Sequence, residues 1–281
     1  MNAEDYAEQA SEIFVLSDSF IRIKELIDDE SSTIDDIADV ILLDPALSGT
    51  ILKLANSSFF NYPGKIDTIS KAVLVLGITE VYNLVIAYFS TQAFKSNQVE
   101  SQFLEEFWEC SVDTALMIKY IGSKLHTVNA ERLFILGLLH GVGELVIKQL
   151  APEKFKEALV ISSDELPWQK QREVFGFTYA DVSAELLKEW QLPFSIVEPI
   201  RYQNEEKFEC STQETKLLFI AKRMMLLNYG CSHFEQEMLI SPEKLVETHV
   251  NSALIKAANE FCDMERLGIL AMLKPSAAMI Y

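Results

Sequence analysis

The chain has few residues of the kind that cross-link a fold or ligate a structural metal, with only four cysteines in 281 residues. Cys110, Cys210, Cys231 and Cys262 are scattered along the sequence, and no two of them form a C-x-x-C pair. Structural zinc sites and disulfide frameworks usually require such close spacings. We therefore expect buried free thiols, and neither a zinc site nor a disulfide framework.

Basic residues are also scarce. Lys and Arg number 24 against 42 Asp and Glu, which gives a formal net charge of -18. This charge repels nucleic acid and anionic membrane surfaces unless a local basic patch reverses it, and the sequence offers no such patch. The first 14 residues lack the basic and then apolar pattern of a secretory signal. No run reaches the roughly 18 apolar residues that a membrane span requires. We therefore expect a cytoplasmic protein that binds neither nucleic acid nor membrane.

Strand patterns are missing as well, because no stretch alternates apolar and polar residues as a half-exposed strand would. Helix start signals recur instead, such as Thr33 before an acidic turn and Asp44 followed by Pro45. The apolar segment 133–147 predicts one buried central helix with His140 in its middle. An imidazole there is either a metal ligand or general base, or a core histidine bonded to a backbone carbonyl or a side chain. The apolar segment alone favours the core histidine.

Two short predicted helices over residues 34–55 also suggest a helix-turn-helix motif. The second helix of the pair offers only Lys53 as a cation, and residues 1–60 hold 13 acidic residues against three basic ones. A protein that neutralises phosphates needs the opposite balance. This region therefore predicts a structural role, not DNA binding.

The segment 42–87 carries several spaced motifs in a fixed order. They are DPAL at 44–47, L-x-x-A-N-S at 52–57, an aromatic pair at 59–60, Pro63, I-x-T-x-x-x-A-V-x-x-L-G at 66–77, and V-x-N-L at 81–84. Together they resemble the signature of the HDOD domain, a bacterial family related to the HD-type metal phosphohydrolases. The resemblance covers roughly residues 10–230. Asn56 within it is interpreted as a polar residue that fixes a corner between helices.

The resemblance and the helical pattern together predict an all-α fold, a multi-helix HD-like bundle with an N-terminal helical lobe. We divide the chain into residues 1–95 as that lobe, 96–210 as the HD-like bundle, and 211–281 as C-terminal helices packed on the bundle. The polar and aperiodic stretch 205–213 marks the second boundary.

In HD enzymes, histidine and aspartate side chains hold one or two divalent metals and leave room for an activated water. The resemblance places those ligand positions on residues that are mostly poor metal ligands: Cys110, His140, Gly141, Tyr179, Gln203, Asn204 and Lys222. One imidazole survives, and we expect no carboxylate at the site to act as a base. A thiol, a phenol and neutral amides cannot offset a divalent charge. The resemblance therefore implies no bound metal, no cofactor and no phosphohydrolase activity.

We expect a non-catalytic bacterial signal-transduction protein that binds protein partners, such as other signalling components, or a small ligand in the vestigial pocket. Two alternatives stay open. One is a divergent HD-type metal-dependent phosphohydrolase, and the other is a nucleotide sensor, for which Lys222 and Arg201 are the only nearby cations. A nucleophilic pair of Cys110 with His140 would need a third, orienting group, and the sequence identifies none.

Overall fold

The computed structural model describes residues 1–29, 31–57, 60, 62–95, 100–128, 130–162, 165–229 and 234–273. Over these ranges the chain is helical and contains no β-strand, so the predicted all-α class is confirmed. The helices are α1 (Ala3–Ile13), α2 (Asp18–Asp28), α3 (Ile34–Leu42), α4 (Pro45–Ala55), α5 (Ile69–Leu76), α6 (Ile78–Lys95), α7 (Ser101–Lys124), α8 (Leu133–Leu139), α9 (Val142–Leu150), α10 (Pro152–Ala158), α11 (Pro167–Phe175), α12 (Tyr179–Glu189), α13 (Phe194–Arg201), α14 (Gln213–Tyr229), α15 (Gln236–Leu239), α16 (Pro242–Glu247) and α17 (Ser252–Leu273).

The chain divides into two compact units. Met1–Phe14 with Asn97–Cys262 form what we call the HD-like unit, and Val15–Ser96 with Asp263–Tyr281 form the second unit. The three-part division of the sequence stays a prediction, but helix α1 does not follow it. Although α1 was assigned to the N-terminal lobe, it packs against α9 and α12 within the HD-like unit.

In the second unit, the helix starts follow the sequence signals. Thr33 caps α3 through a reciprocal pair of bonds with Asp36, and the Asp44 carboxylate accepts from the backbone N–H groups of Ala46 and Leu47 at the start of α4. These side chains satisfy N–H groups that have no partner within the helix. The predicted caps are therefore confirmed.

Asn56 fixes the corner after α4, as predicted. Its amide nitrogen donates to the carbonyls of Leu52 at 2.7 Å and Ile66 at 2.6 Å, and its oxygen accepts from the Ile66 N–H at 2.8 Å. The A-N-S motif thus ties the end of α4 to the segment before α5. Gly77, which ends α5, has φ +89° and ψ 156°, a positive φ that favours glycine but lies outside the left-handed helical region.

The core of the HD-like unit is built around α8, which packs against α7 and α14. Every residue of α8 is buried, with Leu136 and Leu138 fully so. Gly137 lets α8 approach α7 closely, since a Cβ there would lie 2.4 Å from the Cα of Ala115. The predicted burial of this segment is confirmed.

The prediction of one continuous central helix is wrong. The helix breaks at His140 and Gly141, and α9 starts afresh at Val142. In a continuous helix the His140 carbonyl would accept from the Glu144 N–H. Here the Glu144 N–H donates to the Gly141 carbonyl at 2.8 Å, and the His140 carbonyl accepts from Ser183 Oγ at 3.1 Å and Gln203 Nε2 at 2.9 Å. Two buried side chains thus satisfy the carbonyl that the break exposes.

No described segment is an unbroken run of 18 apolar residues, but one has the length and mean hydropathy of a membrane span. By length and composition alone, Leu133–Leu150 qualifies, and 72% of it is buried inside the fold, as in the core helix of a soluble protein. The bent pair Ile69–Leu76 and Ile78–Phe94 passes the same test with an angle of 119° between its halves. The first segment is the α8–α9 run that forms the core of the HD-like unit.

The cysteines follow the prediction only in part. Cys262 is buried, Cys110 is partly buried, and Cys210 is exposed, which contradicts the expectation of burial there. All three are free thiols, and Cys231 lies outside the described residues.

Candidate functional site

A cavity of about 340 Å³ opens inside the HD-like unit beside the break between α8 and α9. Five of the seven residues predicted for the vestigial site line it: Cys110, His140, Gly141, Tyr179 and Lys222. They come from helices α7, α12 and α14 and from the α8–α9 turn. The break is what places His140 and Gly141 on the cavity wall, because both residues occupy the turn.

His140 is bonded within the core. Its Nδ1 lies 2.6 Å from the carbonyl of Gly137, and since a carbonyl only accepts, Nδ1 carries the proton. Burial, with the nearby Lys222 charge, lowers the His140 pKa from 6.5 to about 4. The ring is therefore neutral at pH 7, and Nε2 is a hydrogen-bond acceptor. The prediction of a histidine bonded to a backbone carbonyl is confirmed.

The other two predicted residues, Gln203 and Asn204, do not line the cavity but form hydrogen bonds with residues that do. Gln203 is fully buried, and its amide nitrogen donates to the carbonyls of His140 at 2.9 Å and Ile200 at 2.7 Å. Asn204 is buried too, and its side-chain oxygen accepts from Lys222 Nζ at 2.8 Å. The two amides, which the resemblance places at histidine positions of HD enzymes, therefore contact the backbone of His140 and the side chain of Lys222.

Lys222 brings a positive charge to the cavity. Its Nζ lies 5.2 Å from the centre of the Trp168 ring, within range of a cation–π contact. Burial and the neighbouring Arg223 charge lower the Lys222 pKa from 10.5 to about 7, against the opposing effect of Glu144. Within the described part of the chain, no carboxylate lies within 4 Å of Lys222 Nζ. Its one hydrogen-bonding partner there is neutral.

Arg201, the second cation considered for a nucleotide site, does not line the cavity. Its guanidinium donates instead to the Glu185 carboxylate at 2.6 Å. Lys222 is thus the only cation on the cavity wall among the described residues.

The expectation that no carboxylate remains at the site is wrong, because Glu144 lines the cavity. It also lines a neighbouring cavity of about 220 Å³, together with Phe103 and Phe107. Burial raises the Glu144 pKa, and Lys222 and Lys148 oppose that rise. The sequence carried a signal for this residue, since Glu144 follows His140 by four positions and the two would share one face of a continuous helix.

Cys110 and Tyr179 are weakly acidic in this environment. Burial is the main reason that the pKa of Cys110 rises from 9.0 to about 12, and the Glu144 and Asp113 charges add to it. Burial also raises the pKa of the Tyr179 phenol, whose oxygen is buried and has no hydrogen-bond partner in the described residues. No hydrogen bond joins Cys110 to His140 there either. A thiol of this pKa stays protonated at pH 7, which disfavours the nucleophilic pair.

The metal centre that the HD fold implies does not fit these side chains. In the parts of the chain that the structure describes, no group of three or more His, Cys, Asp or Glu residues could hold a metal ion. Cys110, His140 and Glu144 share the cavity, but the thiol is protonated and the Lys222 ammonium lies in the same space. Strong metal ligation requires deprotonated, converging donors, and a neighbouring cation opposes a divalent charge.

The remainder of the wall is mostly apolar and was not found from the sequence. Trp168 lies at the start of α11, and further apolar side chains come from the α10–α11 region, from α12 and from α14. They are Ala158, Leu159, Ile161, Pro167, Ala180, Met225 and Leu226. No sequence pattern marks these residues as a group, because they come from separate segments that meet only in the folded chain.

Comparisons with known proteins agree with this architecture. Residues 13–206 match the sequence profile of the HDOD domain. A solved structure from Shewanella amazonensis SB2B, provisionally named a phosphohydrolase, superposes with a TM-score of 0.72 at 24% identity and covers 97% of this chain and 98% of that one. An HDOD domain protein of unknown function from Geobacter sulfurreducens gives 0.70 at 20% identity, covering 98% of this chain and 100% of that one.

A third structure, from Marinobacter aquaeolei VT8 and provisionally named a signal transduction protein, gives a TM-score of 0.69 at 20% identity. It is covered to 65%, and this chain to 97%. An uncharacterized protein of Treponema pallidum (strain Nichols) is 24% identical over 208 residues, which is 72% of this chain and 39% of that relative's length. At these identities the solved structures establish the fold. With the profile match over most of its length, the chain belongs to the HDOD domain family.

Proposed function

We propose that this HDOD protein is a non-catalytic regulatory module of bacterial signal transduction that acts by binding, without turnover. The observation that carries the proposal is Lys222. This lysine, which binds a proton with a pKa of about 7, occupies the cavity wall at a position where the family resemblance implies a metal-binding carboxylate. A cation at that point opposes a divalent metal, and therefore opposes activation of a metal-bound water.

The rest of the wall supports the same proposal. His140 holds its Nδ1 proton on the Gly137 carbonyl, and Cys110 is protonated at pH 7. Neither residue is arranged as a nucleophile with an orienting partner. The cavity is in the size range of small-ligand pockets, about 300 to 1,000 Å³, and it is mostly apolar with a few polar groups.

A nucleotide ligand receives less support, because a phosphate would meet Lys222 as its only cation on the described wall. One observation favours the divergent phosphohydrolase, namely the Glu144 carboxylate on the cavity wall. The experiment must therefore distinguish this enzyme from the non-catalytic module. Protein partners, localisation in the cytoplasm and a bacterial source are part of the proposal.

Elemental analysis of protein purified without chelators, together with hydrolysis of bis(p-nitrophenyl) phosphate with added manganese, tests the proposal. We expect metal well below one equivalent and no hydrolysis above that of a mock purification. His140→Asn would be compared with His126→Asn, an exposed histidine of the same unit. Near-stoichiometric metal, or hydrolysis, lost in His140→Asn but kept in His126→Asn would overturn the proposal and establish the enzyme.

A further inference from the structure

The 340 Å³ cavity contains one acidic and one basic side chain that do not form an ion pair with each other. Glu144 is the only carboxylate and Lys222 the only cation on its described wall. No ion pair of 4 Å or less joins them, and within the described residues the Glu144 carboxylate makes no hydrogen bond. One acidic and one basic side chain therefore face the same space without forming an ion pair.

Leaving two such charges unpaired in a mostly apolar cavity is unfavourable, because both side chains are half-buried and lose part of the water that would solvate them. The protonation behaviour agrees with this, since burial raises the pKa of Glu144 and lowers that of Lys222 to about 7. A ligand that supplies the opposite charge to each group would stabilise both ionised forms. Two charges of opposite sign on one ligand would leave the cavity neutral.

The apolar wall defines the rest of the ligand. Leu159, Ile161 and Trp168 come from the α10–α11 region, and Met225 and Leu226 come from α14. These side chains suit an aliphatic or aromatic body and offer no partner for a second charged group. His140 Nε2 adds an acceptor at the polar end, because Nδ1 is committed to the Gly137 carbonyl.

We infer that the cavity binds a small zwitterion with an apolar body, of the kind represented by an apolar α-amino acid. Its ammonium group would pair with the Glu144 carboxylate and its carboxylate with the Lys222 ammonium. The apolar side chain would lie against Trp168 and Met225. This inference rests on the proposed function, since it makes the cavity a sensor site of the non-catalytic module. It also specifies the chemical class of the ligand.

Wild-type protein alone provides the first test, by isothermal titration with three probes that share one phenyl body. The probes are L-phenylalanine, 3-phenylpropionate, which lacks the ammonium, and 2-phenylethylamine, which lacks the carboxylate. We expect L-phenylalanine to bind at least about tenfold more tightly than either analogue, because each would lose one charge-assisted hydrogen bond. Equal binding of an analogue, or no binding of L-phenylalanine, would overturn the inference.

Variants then test which side chain binds the ammonium group of the ligand and which binds its carboxylate. Glu144→Gln should weaken L-phenylalanine about tenfold and leave 3-phenylpropionate unchanged, and Lys222→Met should weaken L-phenylalanine and leave 2-phenylethylamine unchanged. The exposed pair Glu153 and Lys156 on α10 provides matched controls, Glu153→Gln and Lys156→Met, which should bind as wild type. Loss of L-phenylalanine in the controls as well would refute the assignment.

The two proposals can fail separately. A metal-free, inactive protein that binds none of the probes would sink the zwitterion inference and leave the non-catalytic module standing. A protein that holds metal and hydrolyses the phosphodiester in a His140-dependent way would refute the module, whatever the titrations give. If Lys222→Met does not fold, Glu144→Gln and the wild-type probe series still decide the inference.

Discussion

Of the described glycines, Gly143 is the one whose added Cβ would lie nearest to a backbone atom of another helix. It lies in the first turn of α9, where that helix crosses α12. A Cβ at this position would lie 2.2 Å from the carbonyl oxygen of Tyr179 and 2.7 Å from the N–H nitrogen of Ser183. Both are backbone atoms, so no side-chain rotation can relieve the clash. Gly143→Ala must therefore move one helix away from the other.

The cost can be worked out from three contributions. Overpacking of a tight core contact costs about 1 to 3 kcal/mol. The Gly143 N–H donates to Ser183 Oγ at 2.8 Å, and loss of that buried bond adds about 1 kcal/mol. The greater helix propensity of alanine returns at most about 1 kcal/mol. Gly143→Ala should thus lower the free energy of unfolding by about 1 to 3 kcal/mol, a large share of the roughly 5 to 15 kcal/mol of a typical domain.

Urea denaturation followed by tryptophan fluorescence is a suitable assay, because Trp108, Trp168 and Trp190 all belong to the HD-like unit. The signal therefore reports unfolding of the unit that contains Gly143. Gly268→Ala, in the second unit, controls for the general effect of alanine in a helix, since Gly268 is an exposed position of α17 with nothing within 4 Å of its added Cβ. A Gly143→Ala midpoint equal to or above that of wild type, with Gly268→Ala also unchanged or higher, would refute the close crossing of α9 and α12.

Three further predictions concern other parts of the chain. Leu138→Asp places an unpaired charge in the core of α8, so the variant should be unfolded by circular dichroism, and a cooperatively melting variant would contradict the burial assigned to α8. Because the folded-state pKa of His140 is lowered from 6.5 to about 4, its neutral form contributes stability above pH 6.5 that is lost as pH falls toward 4, at most about 3 kcal/mol. His140→Asn should reduce the dependence of the urea midpoint on pH over that window, and His126→Asn should leave it as in wild type. Parallel pH profiles in all three proteins would exclude this role for His140. Asn56→Ala should lower the free energy of unfolding of the second unit by about 1 to 2 kcal/mol in thermal melts, and Asn56→Asp, which loses both donated bonds, should not restore it.

Much of the fold could be predicted because its signals are local. Thr33 and Asp44 each satisfy N–H groups within three residues, so the cap can be read from a short stretch of sequence. The near-continuous apolar character of α8 likewise predicts burial without reference to its neighbours, since such a helix must be covered on all sides. The family motifs then identified the arrangement of these helices as HD-like.

The candidate site was predicted only in part. Motif positions brought together the residues from Cys110 to Lys222, but Glu144 was missed although its spacing from His140 was visible. The break after α8 was hidden for a different reason. Residues 133–147 have the local character of one helix, and the break depends on Ser183 and Gln203, which are 43 and 63 residues away from the carbonyl that they satisfy.

The sequence by itself thus determined the class of fold, the helix starts and the burial of α8, because each depends on residue type and near neighbours. Only the tertiary structure decided where the central helix breaks and that Glu144 faces Lys222 across an apolar cavity. Those features depend on contacts between segments far apart in the chain. The lowered pKa of Lys222 and the raised pKa of Glu144 arise only in the folded chain, where partial burial reduces the solvation of both groups.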